Sequence, residues 1–164
     1  MKLKKKKNKI NIFGKIYDGN YFFDNLTEDS NKKILSKNFK GNLNIKIDEI
    51  ITENDKVYDF FGKGALDSGK INKLNAKANF SDNEVIEISI KATSSNNKKL
   101  FVYSDRAKML VRSFKFVKGF SEGKLEYNST YNDKTSRSSL KINDFKVKDV
   151  PVLAKLLSLA SLQG

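Results

Sequence analysis

Residues 74–92 read Leu74-Asn75-Ala76-Lys77-Ala78-Asn79-Phe80-Ser81-Asp82-Asn83-Glu84-Val85-Ile86-Glu87-Ile88-Ser89-Ile90-Lys91-Ala92. Apolar side chains fall at Leu74, Ala76, Ala78 and Phe80, then at Ile86, Ile88, Ile90 and Ala92, with polar residues between them. A period of two puts alternate side chains on opposite faces of a strand, so each run predicts a strand with one apolar face. Ser81-Asp82-Asn83 supplies the residue types of a tight turn, and the two runs read as an antiparallel hairpin.

The same period extends in both directions. Upstream, Leu43, Ile45 and Ile47 alternate with Asn44, Lys46 and Asp48, and Lys56 to Leu66 predicts a strand ending at Asp67-Ser68-Gly69. Downstream, the turn residues Ser95-Asn96-Asn97-Lys98 precede a strand at Leu100-Phe101-Val102-Tyr103. Leu125, Tyr127, Ser129 and Tyr131 resume the alternation, followed by Leu140 and Ile142; Phe145 and Val147 change phase across Asn143-Asp144, as a β-bulge would require. Ahead of Gly41, Ile12 to Tyr17 predicts a strand, Asp18-Gly19-Asn20 a turn, and Tyr21 to Asn38 a loop with a short helix.

Two segments leave this period. Ser104 and Asp105 can cap a helix that carries Ala107, Leu110, Val111, Phe114 and Val117 on one side and Arg106, Lys108, Arg112 and Lys115 on the other. Near the end, Asp149 and Pro151 suit the start of a helix over Val152 to Leu162, apolar nearly all round, with Leu153, Leu156 and Leu157 available for packing. The expected fold is therefore mainly β with two or three short helices: a curled antiparallel sheet, an amphipathic helix insertion and a C-terminal apolar helix.

Composition narrows the chemistry. The chain has 164 residues, the length of one domain, and no Cys or His, which excludes disulfides, thiol nucleophiles, His general bases and Cys/His zinc sites. Its net charge is +13, but Lys2, Lys4, Lys5, Lys6, Lys7 and Lys9 supply six of those charges. Residues 1–9 are therefore expected as a basic tail and 10–164 as a single module. Arginine occurs only at Arg106, Arg112 and Arg137, so the bidentate fork favoured for gripping phosphate and reading bases is scarce. The basic start leads into Ile10-Asn11-Ile12-Phe13-Gly14-Lys15 rather than the apolar run of a secretory signal, and no stretch of about 20 apolar residues occurs.

One apolar face on a long meander must be covered by barrel closure, a second sheet, helices or an apolar ligand. Two short helices can cap the ends of such a sheet but not its middle. In an open groove, the lining would be Leu43, Ile45, Ile47, Leu74, Ala76, Ala78, Phe80, Ile86, Ile88, Ile90, Leu125, Tyr127, Leu140, Ile142, Phe145 and Val147. A closed sandwich or barrel with an ordinary core satisfies the same alternation.

The segment from Leu140 to Gly164 adds a resemblance. Its strand ending in Phe145-Lys146-Val147, the step Val150-Pro151-Val152-Leu153, and the run Leu156-Leu157-Ser158-Leu159-Ala160-Ser161-Leu162-Gln163-Gly164 resemble the C-terminal region of AsmA-like envelope proteins of Gram-negative bacteria, in particular their YhdP-type branch. Ser104-Asp105-Arg106-Ala107 after a strand, Gly123-Lys124-Leu125 opening the next, and Ile16-Tyr17-Asp18-Gly19 are similar to that family's order of parts. The chain departs from the family at Asp105-Arg106-Ala107, where an Asp-Ala-Gly step is frequent, and at Glu122-Gly123, where a Gly pair is frequent.

The resemblance implies a periplasmic module of a longer protein anchored in the inner membrane. Its repeating β-groove would conduct phospholipid between inner and outer membranes, pairing with further β-groove segments of the same chain and using no cofactor. Lys108, Arg112 and Lys115 would be candidates for head-group contact. Other classes leave weaker marks. An OB-like nucleic-acid module would use Tyr58, Tyr103, Tyr127 and Tyr131 for stacking, yet these fit the inner alternation or a rim, and no specific nucleic acid is expected. Asp18, Asp24, Asp105 and Asp144 form no recognisable catalytic pair and the glycines no phosphate loop, so no enzymatic activity is expected. A structural or assembly scaffold of the envelope would share the same sheet.

Overall fold

A computed structural model describes residues 2–6, 8–20, 39–52, 55–80, 83–93, 97–108 and 120–147. They form one nine-stranded sheet whose strands are neighbours in chain order: β1 (Lys2–Lys6), β2 (Lys9–Asp18), β3 (Gly41–Ile51), β4 (Lys56–Asp67), β5 (Lys70–Asn79), β6 (Val85–Ala92), β7 (Lys98–Ser104), β8 (Phe120–Tyr131) and β9 (Ser136–Val147). The sheet does not close on itself: β1 and β9 are its two edges. The expected mainly-β architecture is thus present, and β3 through β9 form the antiparallel meander that the alternation predicts.

Two features differ from expectation. Residues 2–6, expected within a basic tail, form an edge strand antiparallel to β2, so the lysine run belongs to the sheet. β2 pairs with β3 in parallel, making the sheet mixed rather than wholly antiparallel. The parallel ladder starts with tight backbone packing: Asn42 N–H donates to the Asn8 carbonyl at 2.9 Å, and a Cβ on Gly41 would collide with that carbonyl. The Asn44 amide continues it, donating to Asn11 Oδ1 at 3.0 Å.

Turn chemistry explains the hairpins. Ser68 and Gly69 both take positive φ, 53° and 75°, the two-residue geometry whose twist matches the flanking strands. Between β8 and β9, Asn132 Oδ1 accepts the N–H groups of Lys134 and Thr135, at 2.8 and 2.9 Å. The phase break expected near Asp144 occurs without a register slip, because Ile142 pairs with Leu125 and Phe145 with Glu122 in the same frame. Instead, Glu122, Gly123 and Asp144 all adopt left-handed φ (61°, 89° and 56°), which kinks both strands together. The bulge expected there is thus replaced by a paired kink. True register shifts occur twice in the β4–β5 pairing, between Tyr58 and Phe61, where Asp59 takes φ 54°, and between Ala65 and Leu66.

The register aligns the apolar positions into rows across the sheet. One row runs Ile12, Ile45, Gly62, Ala76, Ile88, Val102, Tyr127, Leu140. Buried apolar residues form two clusters on this face. The larger includes Ile47, Ile50, Val57, Ala78, Phe80, Ile86, Ala107 and Leu125; the smaller is Ile10, Phe39, Leu43 and Leu66. Phe39 thus packs over one end of the face and Ala107 over the other. The amphipathic helix positions Leu110, Val111, Phe114, Arg112 and Lys115, and Leu153, Leu156 and Leu157 of the C-terminal segment, lie outside the described residues. Among the described residues, no helix is long and apolar enough to cross a membrane.

Candidate functional site

The candidate site is the apolar face itself; the register brings the expected lining residues from Leu43 to Ile142 onto one side of the sheet, while Phe145 and Val147 lie beyond the kink, paired with Glu122 and Phe120. Leu43, Ile47, Leu74, Ala76, Ala78, Phe80, Ile86 and Leu125 are buried. Ile45, Ile88, Ile90, Tyr127 and Ile142 are half-buried, while Leu140 at 43% and Phe145 at 39% are exposed. Val147 is placed by its backbone pairing with Phe120 at the edge of β9. Among the head-group candidates only Lys108 is described; it is half-buried beside Ala107.

Several residues of this face were not singled out from sequence. Ile10 and Ile12 on β2 sit in register with Leu43 and Ile45, and Leu100 and Val102 on β7 with Ile90 and Ile88. Their signal was the same alternation, visible in both strands. β4 contributes Phe60, Gly62, Gly64 and Leu66, so the middle of the face is lined by small residues next to Ala76 and Ala78. Gly64 is required there, because a Cβ would collide with the Lys73 carbonyl on β5. Small residues on one face let a twisted sheet bend toward that face without crowding side chains.

Burial is graded across the face. Most inward residues of β3 and β5 are shielded, with Ala78 at 0% exposure, and the row from Ala78 through Ile86, Ser104 and Leu125 stays buried as far as β8; the neighbouring row opens from Ile88 through Val102 and Tyr127 to Leu140. Beyond Leu100 the row turns polar: Tyr127 Oη donates to Ser138 Oγ at 2.9 Å, and Ser138 Oγ donates to Ser129 Oγ at 2.9 Å. The face therefore has a dry centre and a hydroxyl-bearing rim near the β8–β9 turn.

A knot of charged groups fixes the opposite end. Arg106 donates through Nε to Glu84 at 2.6 Å and through Nη1 to both Asp55 oxygens, at 2.9 and 3.0 Å; its guanidinium stacks 4.9 Å from the Phe80 ring centre. Burial lowers the Arg106 pKa, but the hydrogen bonds that Arg106 donates to Glu84 and Asp55 outweigh it and raise the pKa above the usual value. The Asp105 carboxylate, expected as a helix cap, instead accepts Tyr103 Oη–H at 2.6 Å and Val85 N–H at 2.8 Å. Burial pushes the Asp105 carboxyl up, yet those two hydrogen bonds, with Lys124 at 3.8 Å, hold it below the ordinary carboxylate range. Tyr103 is correspondingly pushed up to about 12, first by its bond to Asp105 and then by burial. Ser104 makes the local turn, accepting Arg106 N–H at 3.2 Å. Three loops are tied together here: the β3–β4 turn through Asp55, the β5–β6 turn through Glu84, and the segment after β7.

Among the described residues, no group of three or more Asp, Glu, His or Cys is placed to hold a metal ion. What the apolar face can do is bury hydrocarbon while leaving a polar end group at the rim. Compared with protein families, curated proteins and solved structures, the chain matches none.

Proposed function

We propose that this chain is a non-enzymatic module of an AsmA-like envelope protein, carrying phospholipid acyl chains along its apolar sheet face between inner and outer membranes. One observation carries the reading: an unclosed sheet holds an apolar row through Ile88, Val102 and Tyr127 to Leu140 that stays half-open toward β9. A half-open apolar row of this length is costly in water, and each acyl CH₂ it takes up is worth about 0.8 kcal/mol. A chain sliding along such a face exchanges one contact for the next, so a single large desolvation barrier becomes many shallow wells. Head groups would stay at the polar rim of Ser129 and Ser138. β9, paired only with β8 among the described residues, offers its outer edge to further strands of the same kind.

The test is lipid extraction from the purified chain followed by mass spectrometry. Phospholipid is expected to co-purify, and Ile88→Asp and Ile142→Asp are each expected to lose it while retaining the β-sheet circular dichroism. A folded wild-type chain that carries no lipid removes this reading and leaves an envelope scaffold in its place.

A further inference from the structure

The opposite face of the sheet carries an arrangement that the lipid reading does not use. In register, Lys73 on β5 lies directly opposite Lys91 on β6, Lys91 opposite Lys99 on β7, Lys99 opposite Thr130 on β8, and Thr130 opposite Arg137 on β9. Like charges directly opposed on neighbouring strands destabilise a sheet. Several lysines outside this row face acids: Lys77 faces Glu87 at 3.4 Å, Lys146 binds Glu122 at 2.8 Å, Lys56 binds Glu49 at 2.9 Å and Lys70 binds Asp133 at 2.8 Å. None of the ion pairs among the described residues includes Lys73, Lys91, Lys99 or Arg137.

A concavity of about 670 Å³ lies at this row, lined by Lys91, Lys99, Thr130 and Arg137, with Leu100, Ser129 and Ser138 of the apolar face also in its wall. The adjoining row adds Ser89, Asn128 and Ser139, hydroxyl and amide groups that donate and accept, with Phe101 between them in register and 36% exposed. The row beyond is mixed in charge, with Glu87 opposite Lys77 and Glu126 opposite Lys141. The cationic row spans β5 to β9, about 19 Å at ordinary strand spacing. This is the size of a pocket for a small ligand and not of a track for a polymer.

From these observations we infer that this concavity binds a phosphorylated saccharide. Lys91, Lys99 and Arg137 hold the phosphate, where the register sets like charges side by side. Ser89, Asn128 and Ser139 bond the sugar hydroxyls, and the Phe101 ring packs on the sugar's apolar face. By register the groups named lie on the face opposite the proposed acyl surface, but Leu100, Ser129 and Ser138 of that surface also line the concavity; loss of sugar phosphate in Lys91→Gln/Lys99→Gln with lipid retained separates the two readings. A free sugar phosphate and the head group of a phosphorylated glycolipid present the same chemistry.

The test titrates the intact ¹⁵N-labelled chain with glucose 6-phosphate, glucose, inorganic phosphate and the oligonucleotide dT10, and measures flotation with phosphatidylcholine vesicles with and without monophosphoryl lipid A. Saturable amide shifts around Ser89, Phe101 and Asn128 are expected with glucose 6-phosphate, with weaker binding of phosphate and none of glucose. The double variant Lys91→Gln/Lys99→Gln should weaken binding about ten-fold or more, as loss of two charge-assisted contacts implies. It should also melt at or above the wild-type temperature, since an opposed like-charge pair is removed. Flotation dependent on lipid A, with or without binding of the free sugar phosphate, supports the site and identifies a lipid source; binding of glucose 6-phosphate alone supports it with a soluble source. The inference is overturned by absence of both, by unchanged affinity in the double variant, by inorganic phosphate binding as tightly as the sugar phosphate, or by preferential binding of dT10.

Discussion

The apolar face is written in one alternating code from β2 to β9, yet its two halves are physically different. On β3 to β5 the inward residues are short or covered: Gly62 and Ala76 are buried next to one another, Ala78 shares a core cluster with Ile47 and Phe80 against which Phe60 packs, and Phe39 and Ala107 are buried at the ends. On β6 to β9 Ile86 and Leu125 are buried with that group, but the large inward residues Ile88, Ile90 and Tyr127 remain half-open and Leu140 is exposed. Alternation therefore marks a face as apolar without saying whether it is core or surface. The small half is where the sheet can bend and pack on itself; the large half is left to find a partner outside the described strands.

Substitutions can separate the halves. The largest effect is expected from Ala78→Asp, which puts a charge where exposure is 0%; it should cost more than about 4 kcal/mol and abolish the cooperative melt followed by circular dichroism. If Ala78→Asp folds normally, the closed half is not a core. Next, Arg106→Met keeps the aliphatic stem but strands Asp55 and Glu84; because these groups are partly exposed, the expected loss is about 1–2 kcal/mol, seen as a lower urea midpoint at unchanged slope. In the open half, Leu140→Asp should cost only about 1 kcal/mol while removing bound lipid, and a loss as large as that of Ala78→Asp would make both halves one sealed core.

The smallest effect concerns pH at the knot. Tyr103 has its pKa raised to about 12, so its contribution is full below the ordinary value near 10 and is lost as pH rises from there toward 12. Asp105 is held low, so its contribution is present above the ordinary carboxylate range and is lost as pH falls below it. Both contributions should stay under about 1 kcal/mol after solvent screening. Tyr103→Phe should flatten the alkaline limb of the stability profile and shift the acid limb upward in pH; an unchanged profile would mean that the Tyr103–Asp105 bond does not form in solution.

Much of the fold was legible because strand formation with one dry face is a local property. β3 to β9 begin and end where turn residues interrupt the alternation, and the lining residues from Leu43 to Ile142 share a face as the period requires. The parallel pairing of β2 with β3 was not legible, since two strands separated by residues 19–40 carry no signal in their period for which direction they meet. The lysine-rich start read as a tail because its composition is solvent-like, whereas the β2 edge supplies the backbone partners that make it a strand. Arg106 read as the polar face of a helix; its partners Asp55 and Glu84 lie 51 and 22 positions away, beyond any local pattern.

By itself, then, the sequence determined a two-faced meander without thiol or imidazole chemistry, because side-chain alternation and composition are settled residue by residue. Only the tertiary structure decided which half of the apolar face is closed, which lysines meet acids and which meet one another, and where a kink replaces a slip. Those outcomes depend on the register between strands, and register is fixed by the sum of all pairings across the sheet rather than by any one segment.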